Sequence, residues 1–289
     1  ESKVIVDETG KPVEIKRRDR GQAESLIEEF MLAANETVAA HYHALGIPFV
    51  YRVHEEPDSE KLADLKSFIA IFGYYLKGAQ NKVFPKSYQE VIEQVKGKKE
   101  ERIVSTMMLR SMRHARYATE PLGHFGLSAQ FYSHFTSPIR RYPDLAIHRV
   151  IKEMVVNENK LSSKRIKTLK DKLADYAERS SVRELVAEEA ERETTDLKKV
   201  EYMSQFVGDD FEGTVSGVTP FGIFVELENL IEGLVHISTM DKDYYIFDEK
   251  MLALIGERTK QRFTIGDVVK VKIVRTNIEN RQIDMELVD

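Results

Sequence analysis

Residues 213–227 read GTVSGVTPFGIFVEL, and this stretch indicates how the last third of the chain folds. Apolar and polar residues alternate in it, which is the period of a half-buried β-strand, and Pro220-Phe221-Gly222 interrupts the alternation. The stretch therefore predicts two strands joined by a short glycine-bearing loop. The same alternation returns further along the chain, and the predicted strands are Phe211–Val218, Gly222–Leu227, Leu234–Ile237, Val268–Arg275 and Gln282–Leu287.

Five short strands within about 80 residues favour a small barrel of the OB-fold type. Upstream of Gly208, apolar residues instead recur at three- and four-residue steps, which is the helical period. This pattern predicts helices over residues 22–45, 59–76, 101–116 and 165–206, the last as one long helix or two abutting ones, and a hairpin from Lys3–Asp7 and Pro12–Lys16. We therefore predict an α+β fold: a largely helical part, residues 1–204, followed by a five-stranded OB-fold barrel, residues 205–289.

The composition is that of a globular protein. The 289 residues include 43 Lys and Arg against 48 Asp and Glu, with 42 % hydrophobic residues, which excludes a disordered or collagen-like chain. The longest apolar run is residues 68–76, far below the ~20 residues of a membrane span, so no membrane partner is expected. The lack of cysteine excludes disulfides and fits a cytoplasmic location. Because the chain starts with Glu1 rather than Met, we interpret it as a piece of something longer.

Charge is distributed unevenly along the chain. Residues 205–289 hold 9 basic and 16 acidic residues, so the predicted barrel is net acidic. Residues 101–150 instead hold seven arginines, no lysine and three acids. Arginine suits bidentate phosphate contacts, although arginine stems can also simply cover a helix surface.

The densest segment, residues 124–149, reads HFGLSAQFYSHFTSPIRRYPDLAIHR. Ser137-Pro138 predicts a helix start, which would place Arg140 and Arg141 in the first turn beside unpaired backbone N–H groups. Two cations at that end of a helix indicate an anion site, although ordinary ion pairs with Asp144 would also explain them. The candidate stacking faces, which at these spacings are more often core residues, are Tyr132, Phe135 and Tyr142.

The run FTSPIRRYPDL…HR, residues 135–149, resembles the signature near the end of the catalytic (RNB) domain of the ribonuclease II and ribonuclease R family of 3′-to-5′ exoribonucleases. The ribonuclease R branch matches best. The other family-like segments are GQAESLIEEFMLAAN (21–35), VYRVHEEP (50–57) and DYYIFDE (243–249). The resemblance implies that Arg140 contacts the scissile phosphate and that Glu191 lies near the terminal nucleotide, although a glutamate on an acidic helix is usually only solvated. The candidate RNA-binding residues of this part are His124, Ser137, Arg141 and Tyr142.

The barrel segments GTVSGVTPFGIFVEL, EGLVHIS, GDVVKVKIV and RQIDMEL resemble an S1 RNA-binding domain. The resemblance implies an RNA face formed by Phe221, Phe224, His236 and Arg281. A stacking patch with a cation beside it is suited to single-stranded RNA. Asn277 departs from the acidic residue often found four positions before that arginine, and Phe224 could alternatively point into the core.

The family hydrolyses RNA with metal ions held by an aspartate cluster, and Mg²⁺ is the cofactor that the resemblance implies. No such cluster occurs in this sequence, where Asp209-Asp210 is an isolated pair. We therefore expect the metal ligands to lie upstream of Glu1, and we expect this chain alone to be inactive. The parent is then expected to degrade single-stranded, and also structured, RNA processively to nucleoside 5′-monophosphates. Its further expected partners are the ribosome or an RNA helicase. Two alternatives stay open: a non-catalytic RNA-binding or ribosome-associated module, and an S1 protein with an unrelated helical domain.

Overall fold

The structure is a computed structural model that describes residues 2–18, 21–78, 83–98, 100–158 and 160–288. The chain divides into two compact units. We call one the helical unit (Arg20–Gln94 and Met107–Glu188) and the other the barrel unit (Glu1–Asp19, Val95–Thr106 and Glu189–Asp289). Each is described by itself.

Helices dominate residues 21–203, as the three- and four-residue apolar steps predict. The helices of the described chain are α1 (Gln22–Ala44), α2 (Ser59–Ile71), α3 (Pro85–Val95), α4 (Glu101–Ser111), α5 (Tyr142–Val156) and α6 (Ser163–Met203). The predicted run 165–206 forms one continuous helix, α6. Helix α2 ends earlier than predicted because Gly73 adopts φ +81°, a left-handed conformation that stops a helix. No described helix is both long enough and apolar enough to cross a membrane.

The predicted helix start at Ser137-Pro138 is wrong. Residues 137–140 form a turn in which the amides of Arg140 and Arg141 both donate to the carbonyl of Ser137, at 3.3 and 3.0 Å. Helix α5 begins only at Tyr142, with Arg141 as the N-cap residue and Pro143 in the first turn. Pro138 therefore occupies the second position of a turn, and Pro143 takes the helix-start position that proline also favours. Both arginines thus precede the helix.

The core of the helical unit forms where α5 packs with α6 and with the short strand β3 (Tyr51–Val53). Buried residues of α5 recur at helical spacing, namely Ala146, Ile147, Val150 and Met154. They share one cluster with Tyr51 and Val53 of β3 and with Leu169, Leu173 and Ala177 of α6. This packing holds α5, and with it the end of the 137–144 segment, against the core.

The period-two segments form a closed five-stranded barrel, which confirms the predicted barrel and the α+β class. The strands of the described chain are β1 (Ser2–Val6), β2 (Pro12–Arg17), β3 (Tyr51–Val53), β4 (Arg116–Ala118), β5 (Asp210–Thr219), β6 (Gly222–Leu227), β7 (Glu232–His236), β8 (Tyr245–Asp248), β9 (Ala253–Gly256), β10 (Arg262–Thr264), β11 (Val268–Asn277) and β12 (Gln282–Leu287).

The barrel closes in the order β11-β12-β7-β6-β5, with β11 pairing back onto β5. Strands β12 and β7 run parallel, and the other barrel pairs are antiparallel. The hairpin β1–β2 forms as predicted. The three-stranded sheet β10-β9-β8, inserted between β7 and β11, was not predicted because its strands have only three or four residues each.

Candidate nucleic-acid interface

A buried carboxylate organises the turn before α5. The Asp144 side chain is completely buried, and its Oδ1 accepts hydrogen bonds from the backbone N–H of Ser137 at 2.7 Å and from Nη2 of Arg141 at 2.8 Å. Nε of Arg141 lies 3.2 Å from the same oxygen. The charge of Arg141 is therefore neutralised locally, and the same carboxylate fixes the first residue of the turn.

Arg140 differs from its neighbour. Its side chain is exposed and makes no hydrogen bond or ion pair with any residue that the structure describes. Ile139 beside it is completely exposed, so the tip of the turn projects into solvent. Of the two predicted phosphate-binding arginines, Arg140 is thus the one whose guanidinium is available to an anion.

The remaining candidates around this turn, Tyr142 and Ser137, differ in exposure and in their contacts. Tyr142 is 45 % exposed and packs edge-on against Tyr176 with ring centroids 5.1 Å apart. A side-chain hydrogen bond between Tyr142 and Tyr176 raises the pKa of Tyr142. Ser137 is half-buried, and the predicted hydroxyl cap is wrong because α5 has no side-chain cap. Tyr142 therefore keeps a face that a base could stack on.

Tyr132 and Phe135 are less accessible. Tyr132 is buried, and its hydroxyl accepts a hydrogen bond from the Asn35 side chain at 3.0 Å, so it is a core residue and cannot stack on a base. Phe135 stacks on His148 at 4.3 Å between centroids, and Nε2 of His148 lies 2.8 Å from the carbonyl of Phe135. Both rings support the segment from within.

Histidines with lowered pKa values lie next to this segment. Burial lowers the pKa of His124 to about 4, and Nδ1 of His124 accepts the amide of Leu127 at 3.3 Å. Burial, assisted by the charges of Arg141 and Arg52, lowers the pKa of His134 to about 3. The Tyr117 hydroxyl lies 2.9 Å from Nδ1 of His134. Both imidazoles are neutral at pH 7, so His124 would meet RNA as an uncharged ring.

The second group of candidates lies in the barrel unit. Its two phenylalanines, Phe221 and Phe224, lie on one outer face of the barrel. Ile223 and Val225 are fully buried, whereas Phe224 between them is only partly buried, so the alternative that Phe224 points into the barrel core is wrong. Phe221 is 47 % exposed, and the two rings meet edge-to-face at 6.1 Å. Gly222 permits this loop, because a Cβ there would lie 2.2 Å from the Val235 carbonyl oxygen. The pair leaves aromatic surface for stacking.

His236 and Arg281 are held in different ways. His236 is exposed, and its Nδ1 accepts the backbone N–H of Ser238 at 3.2 Å and lies 2.7 Å from the Ser238 hydroxyl oxygen. Arg281 donates from both terminal nitrogens to the carboxylate of Glu193 in α6, at 3.2 and 3.3 Å. Asn277 accepts the amide of Asn280 at 3.0 Å and so stabilises the turn between β11 and β12. Glu193 thus provides the acidic partner that Asn277 does not.

A cavity of about 340 Å³ lies beside these residues, within the barrel unit. Its lining includes Phe221, Phe224 and Arg281 from the barrel, and Asp196 and Lys199 from α6. Sequence reasoning missed Asp196 and Lys199, and it missed Glu193 as the partner of Arg281. Glu193, Asp196 and Lys199 recur every three residues, which places them along one face of the helix, but that spacing does not say what the face covers.

Glu191 is exposed and forms no ion pair or hydrogen bond with the described residues. Its role near a terminal nucleotide therefore stays a prediction. The described residues include no group of three or more His, Cys, Asp or Glu side chains that could hold a metal ion. These residues therefore offer no metal site of their own, and no step of the mechanism is derived through a metal.

Two family matches cover most of the chain. It belongs to the RNB domain family, which matches residues 1–157, and residues 204–287 match the S1 RNA binding domain. Among curated relatives, it is 49 % identical over 286 residues to ribonuclease R 1 of Lactococcus lactis and 45 % identical over 290 residues to ribonuclease R of Thermotoga maritima. The alignments cover 99 % and 100 % of this chain but only 35 % and 41 % of those proteins.

Solved structures agree with this assignment. The apo form of Mycoplasma genitalium RNase R matches with a TM-score of 0.91 and 30 % identity, over 100 % of this chain and 45 % of that one. Yeast Ssd1, described as a pseudonuclease, matches with a TM-score of 0.58 over 89 % of this chain and 30 % of that one, and at 22 % identity it shows the fold alone.

Proposed function

We propose that this chain acts as the C-terminal portion of a hydrolytic, processive 3′-to-5′ exoribonuclease that degrades single-stranded and structured RNA to nucleoside 5′-monophosphates. Residues 1–204 would form part of its RNB catalytic domain, and residues 205–289 its S1 domain. The identity to ribonuclease R proteins supports this proposal. Support also comes from structures of Mycoplasma genitalium RNase R with ribose methylated single-stranded RNA and with double-stranded RNA.

The observation that carries the proposal is the contrast between Arg140 and Arg141. Arg141 is committed to the buried Asp144, whereas Arg140 projects from the turn without a partner among the described residues. A preorganised guanidinium stabilises the negative charge that develops on a phosphate during hydrolysis. Arg140 is therefore proposed to contact the scissile phosphate, and Arg141 to hold the turn that presents it.

The other candidate residues of each unit are also proposed to bind RNA. Phe221, Phe224 and His236 would stack on or contact bases of a single strand at the barrel, with Arg281 beside them. Tyr142 and the neutral His124 would contact RNA near the turn, and Glu191 would lie near the terminal nucleotide. We propose Mg²⁺ as the cofactor and a cytoplasmic location, with the ribosome or an RNA helicase as further partners.

The test is a chimera in which this chain replaces the aligned segment of Thermotoga maritima ribonuclease R. We expect the chimera to shorten labelled single-stranded RNA from its 3′ end with Mg²⁺. Arg140→Ala should lower the single-turnover rate about 10²–10³-fold while changing RNA affinity much less, because the charge at the scissile phosphate grows only toward the transition state.

Arg110→Ala is the matched control, because Arg110 is also an exposed arginine of the helical unit without a described partner. Equal losses in rate and affinity for Arg140→Ala, or an equal rate loss for Arg110→Ala, would contradict the role of Arg140. A folded chimera that binds RNA but never shortens it would favour the non-catalytic RNA-binding alternative.

A further inference from the structure

We propose that Glu193 is a built-in competitor of RNA: its carboxylate occupies the guanidinium of Arg281, and an RNA phosphate must displace it before the barrel can use that cation. The inference rests on the proposed RNA-binding role of the barrel. It concerns a contact within the barrel unit, between α6 and the turn that joins β11 to β12.

The contact between Arg281 and Glu193 has the geometry that an arginine adopts with a phosphate. Both terminal nitrogens of Arg281 donate to Glu193, one to each carboxylate oxygen, at 3.2 and 3.3 Å. Arginine forms the same two-pronged arrangement with carboxylates and with phosphates. A guanidinium that is bonded in this way to Glu193 has its fork occupied, so a phosphate and the carboxylate compete for it.

Neither partner can easily move away by a shift of the backbone. Arg281 sits in a tight turn, with φ +55° and its amide donating to the carbonyl of Ile278 at 3.2 Å. Helix α6 is attached to the barrel beyond Glu193, where Nζ of Lys199 donates to the carbonyl of Leu230 at 3.0 Å. Val200 next to it is buried. Opening the contact therefore requires rotation of the Glu193 or Arg281 side chain.

The contact is nevertheless open to solvent, as a competitive switch requires. The side chains of Arg281 and Glu193 are 40 % and 46 % exposed, so an RNA strand can reach the guanidinium once the carboxylate leaves. Asp196, one turn further along α6, lines the adjoining cavity and has no hydrogen-bond partner among the residues described. The carboxylates of Glu193 and Asp196 thus disfavour phosphates near Arg281, while Nζ of Lys199, further along the same face, donates to the carbonyl of Leu230 and the rings stay accessible to bases.

This arrangement makes the barrel bind RNA mainly by base stacking. Exposed ion pairs are worth a fraction of 1 kcal/mol, so the competitor lowers RNA affinity modestly rather than blocking binding. Removing the carboxylate should make Arg281 a phosphate contact. The salt dependence of binding should then increase, because each additional phosphate contact on a single strand adds about 0.7 to the slope of log K against log salt.

The experiment measures the affinity of the full 289-residue chain for a fluorescent single-stranded oligoadenylate of about ten nucleotides. Salt is varied over about 50–200 mM. We expect Glu193→Gln to bind about two- to fivefold more tightly at the low end of this range, with a salt slope steeper by about 0.7. Glu189→Gln is the matched control, because it removes the same charge one turn earlier on α6. Oε1 of Glu189 lies 4.0 Å from Nη2 of Arg192, so this carboxylate pairs with a different arginine from Arg281.

A double-variant cycle separates competition from general charge repulsion. In an Arg281→Gln background, Glu193→Gln should lose most of its effect, because no guanidinium remains to be released. An equal gain from Glu189→Gln, or a full gain in the Arg281→Gln background, overturns the proposal while leaving RNA binding by the barrel intact. If neither the unmodified chain nor Glu193→Gln binds the oligonucleotide, both the competition and the proposed RNA-binding role of the barrel are wrong.

Discussion

We expect Asp144→Asn to destabilise the chain strongly and to release the turn that presents Arg140. The substitution keeps the size of the side chain but removes its charge. Asp144 is completely buried and accepts hydrogen bonds from the Ser137 amide and the Arg141 guanidinium. Its Oδ2 is buried and has no hydrogen-bond partner among the described residues, so the amide nitrogen of an asparagine placed there would be a buried donor without an acceptor.

The magnitude follows from the burial of the pair. Removing one partner of a buried ion pair costs about 3–5 kcal/mol, because the other charge stays uncompensated. The Arg141 side chain is 19 % exposed and can recover some hydration, so we expect a loss of about 2–4 kcal/mol in the free energy of unfolding. Asp175→Asn is the control: Asp175 also pairs with an arginine, Arg179, but both side chains are exposed, and such pairs contribute about 0.3–0.5 kcal/mol.

The measurement is urea unfolding of each variant, followed by far-ultraviolet circular dichroism. Linear extrapolation then compares the free energies of unfolding with that of the unmodified chain. A loss below about 1 kcal/mol for Asp144→Asn, or similar losses for Asp144→Asn and Asp175→Asn, would refute the reasoning that burial makes this carboxylate the anchor of the turn.

Three further predictions concern pH, stacking and catalysis. The pKa of His134 is lowered to about 3 in the folded chain, so the unfolded state takes up the proton first as the pH falls. The stability that the neutral imidazole contributes is fully present above about pH 6.5 and is lost as the pH falls from about 6.5 to about 3. His134→Gln should therefore remove about 2 kcal/mol of the stability difference between pH 7 and pH 5 in urea unfolding, and an unchanged difference would contradict the neutral imidazole. Phe221→Ala should weaken oligonucleotide binding by about 1–3 kcal/mol in a fluorescence titration, whereas Tyr244→Ala, which removes an exposed ring outside this aromatic pair, should not. The purified chain alone should show no hydrolysis of labelled RNA with Mg²⁺ or Mn²⁺, and stepwise 3′ shortening abolished by EDTA would disprove this.

Local pattern was sufficient for most of the secondary structure, but it missed α3, β3 and β4 and was insufficient at the start of α5. The segment 137–144 contains two prolines at positions that each suit a helix start, and short-range preference does not choose between them. The choice depends on Asp144, whose buried carboxylate binds the Ser137 amide and thereby makes residues 137–140 a turn. The burial of a carboxylate is a tertiary property, so the sequence could not show it.

The alternating period of residues 211–287 was enough to predict a five-stranded barrel, because side chains of a strand alternate between core and surface whatever their partners are. The outward position of Phe224 follows from the same alternation once the barrel closes, whereas Phe221 is exposed because it lies in the loop between β5 and β6. The partner of Arg281 was different: Glu193 lies 88 positions earlier, on a helix whose polar residues all look suited to solvent. Only the tertiary structure brings that carboxylate to the guanidinium, because a contact between distant segments depends on how the elements pack and not on any local period.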